Sequence, residues 1–385
     1  MGSLLIKSQI KVCFRVDASL EIGSGHVMRC ITLAEALRYR GMQCHFICRA
    51  HPGHLFELIK KSGFNLYELP ANLSFQHINL ADSANKEVNI VHQSWLGSDW
   101  QTDAAQTGAI LSALQPEWLI TDHYALAQPW EELLSPYYQK LMVIDDLADR
   151  IHRCDLLLDQ NLGRHSNDYL DLLPAKCQLL IGPQFALLRP EFAELRAYSL
   201  VRRAKTRRLK NILISMGGVD MPNATARVLE ALKICPLSDD SQITVIMGDT
   251  ARWQTQVLGL ASQMPWTTKV LVNVKNMARI MAESDLAIGA AGSTSWERCC
   301  LGLPTLMVVL SNNQINIASG LDRAGAAISL GLHYEDRLNE ILIKKIIYLI
   351  NHEIMLHLLS EAAAKITEGH GTQLVVKKML SIKVI

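Results

Sequence analysis

No stretch of this chain runs apolar for the ~20 residues that a bilayer-spanning helix needs, so the sequence predicts no membrane segment. Its first residues, Met1-Gly2-Ser3-Leu4-Leu5-Ile6-Lys7, hold too short an apolar run for a signal peptide. Position 6 also lacks the hydroxyl that a myristoylation site wants. Excess charge of either sign is missing: 38 Lys and Arg offset 37 Asp and Glu, a formal net of +1. That leaves no global field suited to nucleic acid or an anionic membrane, and neither is expected as a partner. Two metal signatures are absent, Asp-x-Asp and His-Glu-x-x-His. The nine cysteines are odd in number and scattered through apolar stretches of a chain too large to need disulfide stapling. They predict reduced thiols and a cytoplasmic protein. Cys44, Cys48, His51 and His54 can be written as a zinc quartet, but Cys44, Phe46 and Cys48 share one face of an expected strand, which predicts thiols packed into a core.

What is present is apolar residue in quantity, 49% of 385, enough for two domains of ordinary size. Short apolar runs at 12–16, 44–48, 65–69, 118–121, 141–144 and 156–158 alternate with residues at helical spacing, such as Val27, Cys30, Ile31, Ala34 and Leu37. The same alternation resets after about 200 and continues with runs at 212–215, 243–247, 270–272, 286–288 and 305–309. Buried strands alternating with helices predict α/β architecture, here two Rossmann-like, doubly wound parallel sheets in domains 1–200 and 201–385, with the last helix returning to the first. Between 71 and 100 the pattern lapses around His77, His92, Trp95 and Trp100, which predicts an insertion near a site. The basic run 201–210 reads as a solvated linker, because no aromatics interleave it.

Ligands of doubly wound sheets lie beyond the carboxyl ends of the strands, so the turns after strands carry the candidate chemistry. The first strand ends at Asp17 and leads into Gly23-Ser24-Gly25-His26-Val27-Met28-Arg29, where glycines bring bare N–H groups to a helix start. Met28 replaces the third glycine of a dinucleotide fingerprint and Cys48-Arg49 ends the next strand without a carboxylate, so no nicotinamide or flavin cofactor is expected. His26 is a candidate general base, since a helix N-terminus disfavours positive charge on a ring that must accept a proton; the plain alternative is a polar helix-start residue. Met216-Gly217-Gly218 opens a second glycine turn expected to run into a helix, either for the approach of a phosphate or simply as a helix start that Asp220 caps before Pro222. Gly292-Ser293-Thr294 and Glu297 form a third, in which Glu297 either binds a ribose or closes a capping box with Thr294. Asn313-Gln314 after the 305–309 run offers amides without adding charge. Asp122 and Tyr124, after the 118–121 run, complete the rim of the first domain with Asp145 and Asp146.

These motifs resemble one family. Gly23-Ser24-Gly25-His26-Val27-Met28-Arg29-Cys30, Thr121-Asp122-His123-Tyr124, Ile144-Asp145-Asp146-Leu147-Ala148-Asp149-Arg150, Asp159-Gln160-Asn161, 182–192, Ser215-Met216-Gly217-Gly218 and 292–298 are similar, in order from about 11 to 375, to the UDP-2,4-diacetamido-2,4,6-trideoxy-β-L-altropyranose hydrolases. The resemblance implies the glycosyltransferase B architecture, two Rossmann-like domains facing across a cleft, with UDP held mainly by the second. It implies metal-independent, inverting hydrolysis of a UDP-linked sugar at the anomeric carbon, on the way to pseudaminic acid. His26 matches the family's essential histidine. Asp17, Gly23, Ser24, Gly25, Arg29, Asp122, Tyr124, Asn313 and Gln314 fall on the substrate side. Met216, Gly217, Gly218, Gly292, Ser293, Thr294 and Glu297 fall on the UDP side. Here Asn312 stands where relatives often carry an acidic residue before Asn-Gln. The acetyltransferase domain of some relatives is not expected after 375, and a monomer is favoured. The alternatives are an inverting UDP-sugar glycosyltransferase, which needs an acceptor groove, and a non-catalytic nucleotide-sugar sensor, which has no need of His26.

Overall fold

The apolar run 12–16 lies within strand β1 (Lys11–Val16), followed by β2 (Gln43–Arg49), β3 (Asn65–Leu69), β4 (Trp118–Asp122), β5 (Lys140–Ile144), β6 (Leu156–Asp159) and β7 (Gln178–Ile181). Helices α1 (Gly25–Tyr39), α2 (Phe56–Lys61), α3 (Trp100–Leu114) and α4 (Gln128–Leu134) connect them. The computed structural model describes residues 9–71, 92–205, 208–249 and 251–382, so His77 and most of the expected insertion lie outside the described residues. The seven strands form one parallel sheet in the order β3-β2-β1-β4-β5-β6-β7. Strand order reverses between β1 and β4, where Val16 stands opposite Asp122. One face carries Cys13, Ile47, Leu119, Leu141 and Leu157 against Leu111, Trp130 and Leu134 of α3 and α4. Burying each such side chain contributes about 1.5–3 kcal/mol before entropy is set against it.

A second set of strands, β8 (Asn211–Ser215), β9 (Gln242–Met247), β10 (Thr267–Val272), β11 (Leu286–Ala290), β12 (Thr305–Val309) and β13 (Ile328–Leu332), forms another parallel sheet in the order β10-β9-β8-β11-β12-β13. Alternate residues go to opposite faces. Ile212, Ile214, Val245 and Ile288 pack with one apolar cluster, and Leu213, Ile246 and Ala287 with the other. Both faces are therefore dry, which is why these strands read as unbroken apolar runs. The edge strands β7 and β13 escape that reading because most of their residues are only half-buried, as at Gln178 and Ser329.

By its contacts the chain divides into two units, the first made of Met1–Gln160, Arg164–Ile181 and Thr372–Ile385, the second of Asn161–Gly163 and Gly182–Gly371. Helix α5 (Pro190–Lys205) spans the expected 200/201 boundary but packs with the second unit, through Phe192. The basic run beside it is no solvated linker at its start. Arg203 is 6% exposed and donates to the carbonyls of Met281, Ser284 and Leu301, and Arg202 pairs with Asp285 at 2.5 Å. Burial pulls the Arg203 guanidinium down to about 9. Its planar set of donors ends carbonyls that the fold would otherwise leave bare. The zinc quartet separates into four environments. Cys44 Sγ points at the Ala34 carbonyl, Cys48 is buried, His51 turns to Asp17, and His54 stacks on Phe56 at 3.8 Å. Among the described residues no helix is long and apolar enough to cross a membrane.

Candidate functional site

In the first unit the switch point between β1 and β4 gathers the expected residues. After β1 the chain turns at Ser19, whose Oγ accepts from the amides of Glu21 and Ile22, and passes through Gly23 at φ +77°. A side chain rarely adopts that backbone, which accounts for the glycine. Ser24 then caps α1 without a side-chain bond, and Gly25 and His26 open the helix. The first amides of a helix have no intrahelical acceptor, so this end remains a place for an anion or a water.

His26 is 8% exposed, and its Nδ1 lies 2.5 Å from Oδ1 of Asp122 at the end of β4. Nε and Nη2 of Arg29, one turn along α1, donate to Oδ2 and Oδ1 of the same carboxylate, each at 2.6 Å. Burial would raise the Asp122 carboxyl, but Arg29 and His26 overcome it and hold the group well below the usual carboxylate range. An ionised Asp122 can only accept, so Nδ1 carries the proton, and the 3.3 Å approach of Arg29 to Nδ1 is secondary. Nε2 of His26 makes no hydrogen bond among the described residues, and in the neutral ring with its proton on Nδ1 it is the acceptor. Asp122 and Arg29 were expected to touch substrate. Their polar atoms face His26, Asp146 and one another.

Tyr124 stands edge-on to His26, with ring centroids 4.8 Å apart, and its hydroxyl donates to Asp146 at 2.8 Å. Burial and the Asp146 charge push the phenol well up, so it remains a donor. Asp17, also expected at the substrate, is completely buried. It pairs with Arg15 at 2.7 Å, accepts from the Arg49 amide at 2.6 Å, and lies 3.4 and 3.6 Å from Nε2 of His123 and His51. Its place is a buried network that continues through Arg15 and Arg49 to Asp103. Trp130 reaches the same Asp103 with its indole N–H at 3.0 Å. Beside this network Gly97 takes φ +66°, and a Cβ there would stand 2.5 Å from Cε1 of His51.

The second unit repeats the geometry, because its strand order reverses between β8 and β11. Met216 is 2% exposed in the apolar core, so only its backbone can meet a ligand. Gly217 has φ +86° with open space where a Cβ would be, and the Gly218 carbonyl lies so close to Gly248 that no side chain fits there. The helix expected at this turn begins later, at α6 (Ala224–Leu232). Its first amides are taken: Asp220 accepts from Ala224 and Thr225, and Asn223 from Ala226. Asp220 is thus a cap, and the free N–H groups belong to the glycine turn rather than to a helix start.

After β9 and β10 come α7 (Gln254–Ala261) and α8 (Met277–Glu283), and β11 leads through Gly292 and Ser293 into α9 (Thr294–Cys300). The capping box does not form. Ser293, not Thr294, is the N-cap, which places Glu297 one residue beyond the position that could reach back. Arg189 approaches Glu297 at 4.0 Å, and burial pushes the carboxyl up to about 7. Beneath the turn, buried Arg298 donates to the Ala290 carbonyl and Ser295 Oγ at 2.6 and 2.9 Å. Gln314 accepts from the Leu310 amide at 3.0 Å, and its Nε2 would stand 3.8 Å from a Cβ on Gly292. Asn313 accepts from Ser311 Oγ at 2.5 Å, and Asn312 is exposed. Sequence reasoning named Asp146 at the rim without its partners Arg29 and Tyr124, and it gave Arg189 no role beside Glu297; both places depend on contacts between distant parts of the chain.

Comparison with known proteins follows the same division. Residues 212–372 match the glycosyltransferase family 28 C-terminal domain. The chain is 26% identical over 319 residues to the UDP-2,4-diacetamido-2,4,6-trideoxy-beta-L-altropyranose hydrolase of Campylobacter jejuni, covering 82% of this chain and 97% of that one. It is 25% identical over 311 residues to an uncharacterized protein of Methanocaldococcus jannaschii, covering 80% of this chain. It spans 56% of the length of that archaeal relative. Among solved structures, MurG of Acinetobacter baumannii superposes with a TM-score of 0.63 at 18% identity, covering 97% and 100% of the two chains. The resemblance to the UDP-sugar hydrolases read from the motifs is thus matched by similarity along most of the chain, and the fold is that of the glycosyltransferase B group.

Proposed function

We propose that this relative of the UDP-sugar hydrolases is an enzyme acting on UDP-sugars, which hydrolyses a UDP-linked 2,4-diacetamido-2,4,6-trideoxy sugar at the anomeric C–O bond with inversion. The observation that carries the reading is the 2.5 Å contact between Asp122 and His26 Nδ1, which leaves Nε2 as the proton acceptor. A water held at Nε2 attacks the anomeric carbon. As the new C–O bond forms, the bond to the β-phosphate oxygen breaks and its electron pair leaves with UDP. The water's proton passes to Nε2. General-base help of this kind is worth about 10²- to 10⁴-fold. Backbone amides of the Gly217-Gly218 and 292–294 turns and the Gln314 amide meet the charge on the departing diphosphate. Glu297 accepts from the ribose hydroxyls. Every one of these groups belongs to the chain itself.

A second reading, transfer of the sugar to an acceptor, is favoured by the match to the glycosyltransferase family 28 C-terminal domain. UDP release from the purified chain and the UDP-sugar alone, with no acceptor present, separates the two. Run in ¹⁸O-water, the proposed reaction puts the label in the released sugar. Label in UDP means attack at phosphorus and overturns the reading. His26→Ala should lose ~10²-fold or more in turnover while UDP affinity stays unchanged.

A further inference from the structure

Beyond the residues that match the family motifs, the stretch that returns from the 71–100 insertion adds two groups to the surroundings of His26. The Trp95 ring stacks on Tyr124, with centroids 5.6 Å apart and planes 24° from parallel. His92 stands edge-on to both, at 4.5 Å from Trp95 and 5.2 Å from Tyr124. The same Tyr124 ring meets His26 by its edge, so one aromatic ring separates this pair from the general base. Tyr124 has committed its hydroxyl to Asp146. His92 has not: its Nδ1 is buried and has no hydrogen-bond partner among the described residues.

We infer that His92 and Trp95 form a subsite for an N-acylamino group of the sugar, next to the carbon under attack. The chemistry of the wall selects that group over its competitors. A hydroxyl-rich sugar face asks for several hydrogen-bonding partners, and among the described residues this wall offers ring nitrogens alone, the buried Nδ1 of His92 among them. A bare methyl suits the rings but leaves the buried Nδ1 unsatisfied, at a cost typical of a buried polar atom without a partner. An acylamino group carries both parts: an apolar methyl for the indole, and an amide that can accept from or donate to an imidazole nitrogen. Burial lowers the readiness of His92 to take up a proton, so the ring meets the amide uncharged. An ammonium group in the same place gains no methyl contact and must give up more of its hydration to enter the wall.

The inference rests on the UDP-sugar reading for the nucleotide half of its ligand, and the experiment keeps the two apart. Binding is measured with a phosphonate analogue in which CH₂ replaces the glycosidic oxygen, so that turnover plays no part. Saturation transfer from protein to the acyl methyl protons should be strong in the full chain and largely lost in Trp95→Ala, while transfer to the uracil protons is unchanged. The free-amine analogue should bind the full chain about tenfold or more weakly than the acylated one, and Trp95→Ala and His92→Phe should shrink that ratio towards one. Trp95→Phe should restore part of it. Equal weakening of both analogues by the variants means a merely structural role and overturns the inference, as does undiminished methyl saturation in Trp95→Ala. Absence of uracil saturation in the unsubstituted chain would count against the UDP-sugar reading instead.

Discussion

Oδ1 of Asp122 lies 2.5 Å from Nδ1 of His26 and 2.6 Å from Nη2 of Arg29, so a single oxygen both fixes the ring and is itself fixed. Asp122→Asn keeps the shape but can present an N–H₂ to Nδ1, which moves the ring proton to Nε2 and removes the acceptor from the reaction side. Turnover should fall by about 10²- to 10⁴-fold with UDP affinity unaltered, as expected when the wrong tautomer is imposed. Steady-state rates and calorimetry on the same preparation check this. Ordinary turnover in Asp122→Asn would remove Asp122 from the mechanism.

Glu297 supplies a pH dependence. Burial raises its carboxyl from 4.5 to about 7, so between those values the folded chain holds a proton that the unfolded chain has lost. This group therefore takes stability away as pH rises through that window. Glu297→Gln should melt higher than the unsubstituted chain at pH 8, and the advantage should vanish near pH 4.5. UDP binding should move the other way, tightening from pH 6 to pH 8 because the ribose hydroxyls donate to a carboxylate. In Glu297→Gln that tightening should shrink and affinity at pH 8 should fall by about 1–3 kcal/mol. Unchanged UDP affinity in the variant would end the ribose assignment.

Metal independence is the third expectation. The leaving diphosphate is assigned to backbone amides and Gln314, so rates measured in EDTA should equal those in buffer. A large loss restored by magnesium would show that the charge is met by an ion instead.

Asp220 offers a stability test away from the chemistry. It accepts from two amides at the start of α6 and itself sits at φ +44°, a backbone that Asp tolerates better than Ala. Asp220→Ala should cost about 1–2 kcal/mol in denaturant unfolding of this unit, and Asp220→Asn less. An unfolding curve unchanged by Asp220→Ala would mean that the cap contributes nothing.

The two sheets were legible because their central strands are covered on both faces and so write themselves as apolar runs, as at 212–215 and 305–309. Edge strands β7 and β13 were not, since Gln178 and Ser329 are only half-buried and break the run. His26 was legible from its glycine turn, but its partner Asp122 stands 96 positions away, and spacing along the chain says nothing of that contact. For the same reason Asp17 read as a substrate-side residue although its partners come from three stretches, Arg15, Arg49 with His51, and His123. Arg203 misled because a charge run is ordinarily solvated, and only the carbonyls of Met281, Ser284 and Leu301 explain its burial. At Gly217 the glycines were informative, but the start of the following helix was not, because Asp220 and Asn223 delay it to Ala224.

Gly97 bears on how freely this chain can exchange parts with its relatives. Its backbone lies against His51 so tightly that even a methyl there would collide with the imidazole. His51 in turn faces Asp17 at 3.6 Å. The end of the insertion is therefore not a detachable module: a graft that brings any side chain to position 97 displaces His51 and disturbs the charge balance around Asp17. Chimeras that transplant 71–100 should fold well only when the donor supplies glycine at 97, because a smaller residue at 51 relieves the collision but not the positive φ. Paired Gly97→Ala and Gly97→Ala/His51→Ala melting curves would reveal this dependence, since the second substitution should recover part of what the first loses.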